Sequence, residues 1–259
     1  MAKLRLDQLL VQRGLCETRA KAQARILAGD VLIDDRPATK AGAAVDELAN
    51  IRLRGEALPF VSRGGLKLQG ALDLWQIDPT GWTCFDAGAS TGGFTDCLLQ
   101  RGATKVYAVD VGTNQLNWKL RSDPRVHSIE QCNLRTWEAD RIPERCRFLC
   151  ADLSFISLRL AIPPVLASLT EEADAVLLVK PQFEAGRDDV EKGGIVRDSA
   201  VHRRVCEEIW KFFEATELKP QALAFSPIKG GEGNIEFLLR LRRNGPPGDL
   251  EAALVTLGI

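Results

Sequence analysis

From residue 83 onward, short apolar runs alternate with amphipathic stretches, and this alternation constrains the fold more than any other feature. The runs are TCFDA, KVYAVD, RVHSIE, RFLCAD, AVLLVK, QALAF and EFLLRL. Each has the length and the β-branched or aromatic content of a strand. Helical patterns fit near 66–75, 93–101, 157–169 and 199–216. Strand and helix in alternation cover both faces of a sheet, so the expected fold is α/β. It is a Rossmann-like, doubly wound, mainly parallel seven-stranded sheet. After Arg243, GPPG precedes DLEAALVTL, a short capped amphipathic helix.

Residues 1 to 60 follow a different pattern and are expected to form a small α+β domain, leaving 61–259 for the larger one. Leu6, Leu9 and Leu10 share a helical face that Gly14 closes, and Thr18 can cap a second helix ending at Gly29. VLI, an Asp34-Asp35 turn and IRL suggest a β-ribbon. The stretch RGEALPFVSRGG reads as the linker. Residues 1–40 hold eight basic and five acidic residues, although the whole chain has a net charge of -1. A polyanionic partner would therefore be met locally rather than by a global field. Lys21 and Arg25, four residues apart, share one helical face. The pattern Arg5-Leu6-Asp7, Gly14-Leu15, Thr18-Arg19, Ala22, Ile26, Gly29-Asp30-Val31 and Lys40 resembles the S4 RNA-binding domain. That resemblance implies RNA contacts by Arg5, Arg19, Lys21 and Arg25, with Arg63 of the linker beside them.

DAGASTGGF, residues 86–94, lies at the carboxyl end of the first long-sheet strand, where open α/β sheets bind ligands. Glycines there let a nucleotide approach the backbone, although any tight strand-to-helix turn also uses them. Two acids sharpen the reading. Asp110, ending the second strand, suits a ribose diol in either a dinucleotide or an S-adenosylmethionine site. A carboxylate at Asp86 would repel a pyrophosphate but attract a sulfonium and an ammonium, which favours S-adenosylmethionine. The expected cofactor contacts are Asp86, Gly88, Ser90, Gly92, Gly93, Phe94, Asp110, Val111 and Asp152.

The acceptor is narrowed by what the chain lacks. There is no D/N-P-P-Y/F run to grip a base amine after the fourth strand, and no Pro-Cys pair for attack at a pyrimidine C5. Asp152 ends the fourth strand and Lys180 the fifth. A hydroxyl acceptor must shed its proton, and a lysine takes that proton only if burial or a second cation makes its ammonium acidic. Lys67 could supply the cation, with Asp152 and Glu236 orienting the pair.

SRGGLKL, DAGASTGGF, DVG, ADLSFISL, LVKPQFE, KGGIVRD and SPIKGGEGNIEF occur in the order seen in the TlyA family of ribosomal RNA methyltransferases, which the chain resembles over essentially its whole length. The resemblance implies an S4 domain joined to an FtsJ/RrmJ-like domain that uses S-adenosylmethionine. It places a Lys-Asp-Lys-Glu tetrad for ribose 2′-O-methylation on Lys67, Asp152, Lys180 and Glu236. It also implies cytidine targets in ribosomal RNA, within ribosomal subunits. A non-enzymatic RNA-binding assembly factor with a vestigial pocket is the alternative, against which the intact tetrad argues.

That family also carries the label hemolysin. Lysis would need an apolar span or a strongly amphipathic basic helix, and neither is evident. Seven cysteines without a C-x-x-C pair, and only His127 and His202 beside them, argue against a zinc site. Buried thiols and the absence of a signal-like start point to the cytoplasm, and nothing calls for a protein partner.

Overall fold

The structure, a computed structural model, describes residues 3–54 and 59–259. Residues 55–58 of the expected linker lie outside the described residues. The chain divides into two compact units, Met1–Leu58 with Pro227–Gly233, and Pro59–Ser226 with Asn234–Ile259.

In the smaller unit, β1 (Lys3–Arg5) pairs with β4 (Ala44–Asp46), and β2 (Val31–Ile33) lies between β3 (Arg36–Pro37) and β5 (Ile51–Leu53). Helices α1 (Leu6–Gln12) and α2 (Arg19–Leu27) bury Leu6, Leu9, Leu10, Ala22 and Ile26. Thr18 caps α2, its hydroxyl accepting Lys21 N–H at 3.3 Å. The β2–β3 turn places Asp34 and Asp35 at φ 48° and 66°. Two consecutive left-handed residues match the twist of a hairpin, and short carboxylates tolerate that conformation. Within this unit, Lys229 Nζ meets Asp46 Oδ2 at 2.8 Å.

In the larger unit, seven strands run in the order β11 (Leu218–Phe225), β12 (Phe237–Arg243), β10 (Leu169–Val179), β9 (Cys146–Ala151), β6 (Thr83–Ala87), β7 (Lys105–Val109), β8 (Val126–Ile129). Only β12 opposes its neighbours; the β10–β9, β9–β6, β6–β7 and β7–β8 pairs are parallel. Alternate residues serve opposite faces. Phe85, Leu149, Leu177 and Leu239 join a core with Trp210 and Phe213 of α8 (Ser199–Glu214). Cys84, Phe148, Val176 and Leu238 join the other core. It is completed by Leu68 and Leu72 of α3 (Gly64–Leu74) and Leu98 of α4 (Gly93–Gln100). The remaining helices are α5 (Trp118–Arg121), α6 (Leu158–Ala161), α7 (Pro181–Glu184) and α9 (Leu250–Leu257).

The helix expected over 157–169 is shorter. α6 stops at Ala161, a 3-10 turn covers Pro163–Ser168, and β10 starts at Leu169. Pro163 and Pro164 bring no N–H groups, so the helical ladder cannot cross them. All seven cysteines are buried and unpaired.

The strand sequence β6, β7, β8 moves one way across the sheet, and β9 returns to the other side of β6. The direction therefore reverses between β6 and β9, and a crevice opens outside their carboxyl ends.

A buried carboxylate organises the smaller unit. Asp7 is fully buried and receives Arg5 through two bonds of 3.1 Å, Arg19 at 2.8 Å and Gln23 at 2.9 Å. The hydrogen bonds from Arg5, then those of Gln23 and Arg19, outweigh burial and hold its carboxyl well below the usual carboxylate range. A depressed acid stabilises above its unfolded pKa and loses that contribution as pH falls below it. Asp7→Asn should therefore lower stability at neutral pH, and the deficit should shrink below about pH 4, where the unfolded acid protonates. Denaturant titrations at several pH values check this; a deficit independent of pH would assign Asp7 a purely steric role.

Candidate active site

Two adjoining cavities occupy the crevice at the switch point. The larger, about 550 Å³, is lined by Gly88, Ser90, Asp110, Val111, Gln115, the Cys132–Arg135 segment, Asp152, Leu153 and Phe155 among others. The smaller, about 300 Å³, is lined by Arg63, Lys67, Gly93, Phe94, Asp152, Ser154 and Lys180 among others. Gly88, Ser90, Asp152 and Ser154 border both.

Backbone proximity builds the shared wall. Gly88 follows β6 with φ +79°, and a Cβ there would lie 2.8 Å from the Asp152 carbonyl oxygen. Asp152 N–H donates to the Ala87 carbonyl at 3.1 Å, closing the two strand ends on each other. At Gly93 a Cβ would meet Ser62 Oγ at 2.4 Å and Gly65 N at 2.8 Å. Its absence lets the starts of α3 and α4 pack closely. α3 is thereby held with Lys67 facing the smaller cavity.

Lys67, Asp152, Lys180 and Glu236 come together from four separate segments. Asp152 follows β9, Lys180 follows β10 and Glu236 immediately precedes β12. Because β12 runs against β10, its start lies at the same end of the sheet. Lys67 Nζ stands 2.7 Å from Glu236 Oε2 and 3.2 Å from Asp152 Oδ2. Lys180 Nζ stands 2.5 Å from Asp152 Oδ1 and donates to Ser154 Oγ at 3.0 Å. One carboxylate thus bridges two ammonium groups, and the four charges sum to zero. Burial opposes the charge on Lys67, but Asp152 and Glu236 outweigh it and raise its pKa above the ordinary lysine value. Burial likewise opposes the Asp152 charge, and Lys67 and Lys180 outweigh it to hold that carboxyl below its ordinary value.

Asp110 faces the larger cavity. Its two oxygens accept Ser90 N–H at 2.8 Å and Gly112 N–H at 2.7 Å. The carboxylate is therefore oriented while keeping free lone pairs for a diol. Val111 is 71% exposed at the same wall.

Two expected contacts take different places. Asp86 borders neither cavity and is fully buried. β6 runs to Ala87, so Asp86 still projects from a sheet face, where Thr95 donates to it at 2.6 Å. Burial pushes its carboxyl up to about 7. The carboxylate open to the cavities is Asp152. Gly92 also borders neither cavity; at φ +96° a Cβ would meet Leu120 at 2.3 Å, so it shapes the loop from beneath.

Among the expected RNA contacts, Arg5 and Arg19 are half-exposed while anchored on Asp7. Lys21 pairs with Glu17 on an exposed face, Arg25 is exposed on α2, and Arg63 borders the smaller cavity.

Sequence reasoning missed Phe155. It is 90% exposed with φ 64°, a conformation that bulky residues rarely adopt, and its ring lies 4.9 Å from that of Phe183. ADLSF was visible as a motif, but nothing in it announced a displayed ring. Cys132–Arg135, which lies in no recognisable pattern, and Ser154, which lies within ADLSF without standing out from it, were also missed.

Residues 60–243 match the FtsJ-like methyltransferase family and residues 4–47 the S4 domain. The 16S/23S rRNA (cytidine-2′-O)-methyltransferase TlyA of Mycobacterium tuberculosis is 42% identical over 93% of this chain and 90% of its own. Hemolysin A of Brachyspira hyodysenteriae is 41% identical over 91% of this chain and 98% of its own. A solved structure of a hemolysin-labelled protein from Streptococcus thermophilus is 43% identical, with TM-score 0.77. It covers 100% of this chain and 96% of that one.

Gly88→Ala tests the shared wall. The added methyl meets backbone in a left-handed conformation, so a loss of at least about 1–2 kcal/mol is expected in denaturant titration. Wild-type stability would mean that the two strand ends are not held as close as described.

Proposed function

Because the chain belongs to the FtsJ-like methyltransferase family, with an S4 domain ahead of the methyltransferase domain, we propose that it transfers a methyl group from S-adenosylmethionine to a ribose 2′-oxygen of ribosomal RNA. It is an rRNA (cytidine-2′-O)-methyltransferase, acting on RNA within ribosomal subunits. The observation that carries the reading is the Lys67–Asp152–Lys180 chain of ion pairs at the junction of the two cavities.

The residues present fit S-adenosylmethionine. The Gly88 cradle, the polarised Asp110 and the partly apolar larger cavity suit an adenosine moiety, with Ser90 and Val111 beside it. Asp152, and not Asp86, is the carboxylate available to its cationic end. When bound, this cofactor supplies an electrophilic methyl group. The acceptor hydroxyl must lose its proton as its oxygen attacks, and Lys180 Nζ, at the wall of the smaller cavity, is the group assigned to take it, as the neutral amine left once its own ammonium proton has passed to solvent. Asp152 holds Lys180 in place, Lys67 keeps a fixed positive charge near the reacting oxygen, and Glu236 holds Lys67. Phe155 offers an aromatic face on which a base can stack at the edge of the site. The basic faces of the smaller unit grip phosphates, positioning the RNA without reading its sequence.

The assay is methyl transfer to purified ribosomal subunits. Lys180→Met should abolish turnover and leave cofactor and RNA affinity nearly intact, because the lysine acts mainly in the transition state. Near-wild-type turnover would remove Lys180 from the role of base. Asp110→Ala should weaken S-adenosylmethionine binding by about 1.5–3 kcal/mol, the worth of a hydrogen bond to a charged group. Unchanged affinity in calorimetry would reject the diol assignment. Exchanging Lys21 and Arg25 for glutamates should weaken RNA binding and flatten its salt dependence. Identical salt slopes would mean that this face does not touch RNA.

A further inference from the structure

Glu184 is a buried carboxylate that the chemistry above leaves unused. It ends α7, four residues after Lys180, and is 7% exposed. Its Oε2 accepts the Ser157 hydroxyl at 2.6 Å, and its Oε1 accepts Leu158 N–H at 2.7 Å. Arg159 donates to the Glu184 carbonyl at 3.3 Å. These partners form the start of α6, reached from Asp152 through a segment with neither helix nor strand. α7 itself has only four residues. Internal backbone bonds hold each side only over a single turn, Phe183 to Lys180 and Ala185 to Pro181 in α7, and Leu160 and Ala161 to Ser157 in α6.

The two segments are joined at successive levels. Lys180 meets Asp152 at 2.5 Å and Ser154 at 3.0 Å. The Phe183 and Phe155 rings meet at 4.9 Å. Glu184 then closes the row on Ser157 and Leu158. The outermost link is the one that shares no atom with the reacting cavity, since neither Glu184 nor Ser157 borders it. Burial raises the Glu184 pKa above its ordinary value, against the bonds from Ser157 and Leu158. An apolar pair would fill this position without that cost. What the carboxylate adds is direction, because it accepts a hydroxyl and a backbone N–H from one short stretch at once.

We infer that Glu184 is a positioning residue that pins residues 152–157 against α7, and so sets where Asp152 meets Lys180 and how Phe155 is displayed. Its kinetic consequence rests on the methyl-transfer reading; its structural consequence does not.

The test uses the full chain and two readouts. In hydrogen–deuterium exchange, the peptide spanning 152–158 should exchange faster in Glu184→Ala than in wild type, while β6 and β7 keep their protection. In methyl transfer, Glu184→Ala should lower kcat at least about tenfold, since misplacing reacting groups by an ångström costs that much or more. KM for S-adenosylmethionine should rise by less than kcat falls, because the Ser90–Asp110 side of the larger cavity is untouched while residues 152–156 line its other side. Glu184→Gln keeps an acceptor for Leu158 N–H and should recover most of the lost turnover. If Glu184→Ala does not fold, Ser157→Ala replaces it, removing the hydroxyl bond to Glu184 Oε2 together with the α6 cap on Arg159 N–H while Leu158 N–H keeps its hold on Oε1. Unchanged exchange over 152–158, or wild-type kcat in the alanine variant, would overturn the inference. A wild-type chain without methyl transfer would instead overturn the functional reading, and the exchange result would still decide the role of Glu184.

Discussion

The site depends on one carboxylate shared by two lysines. Asp152 meets Lys180 at 2.5 Å and Lys67 at 3.2 Å, and each of the three is largely removed from water. Removing any partner would leave an uncompensated charge in a poorly solvated place, where such losses are severe. The arrangement needs the sheet to reverse direction between β6 and β9, because that reversal places the Asp152 backbone beside Gly88. It also needs β12 to run antiparallel, since only then does Glu236 arrive at the end of the sheet where Lys67 waits. Glu236 and Asp152 in turn keep Lys67 charged against the cost of burial.

Much of this was legible in the sequence where periodicity reaches. The alternation of Cys84 with Phe85, or Val176 with Leu177, announces two covered faces, whereas the strand order came from the structure alone. Strand ends announce Asp110, Asp152 and Lys180, because a polar residue closing an apolar run must leave the core. The grouping of Lys67 with Glu236, far apart in sequence, rested on the chemistry a lysine base needs and on the family resemblance, not on spacing.

Legibility fails at the last turn of each element. Asp86 and Asp110 look equivalent in sequence, yet β6 extends one residue past Asp86 and turns its carboxylate inward toward Thr95. β7 stops at Val109, and Asp110 is left facing the cavity. Phe155 is displayed by a left-handed backbone that no propensity foretells. Asp7 read as part of a motif, whereas its work is to gather Arg5, Arg19 and Gln23. Among the described residues, no helix is long and apolar enough to cross a membrane. The hemolysin label of some relatives finds no transmembrane helix here to explain it.

The acceptor proposed for this constellation is a ribose hydroxyl, which RNA offers and DNA lacks. The most direct measurement is methyl transfer to an RNA substrate and to the same substrate carrying a single deoxyribose at the target, with the product mapped by nucleoside mass spectrometry. The deoxy substrate should bind almost normally, because phosphate contacts dominate affinity, and should accept no methyl group. On the normal substrate the added mass should lie on the sugar. Methylation of the deoxy substrate, or added mass on the base, would rule out a 2′-oxygen acceptor.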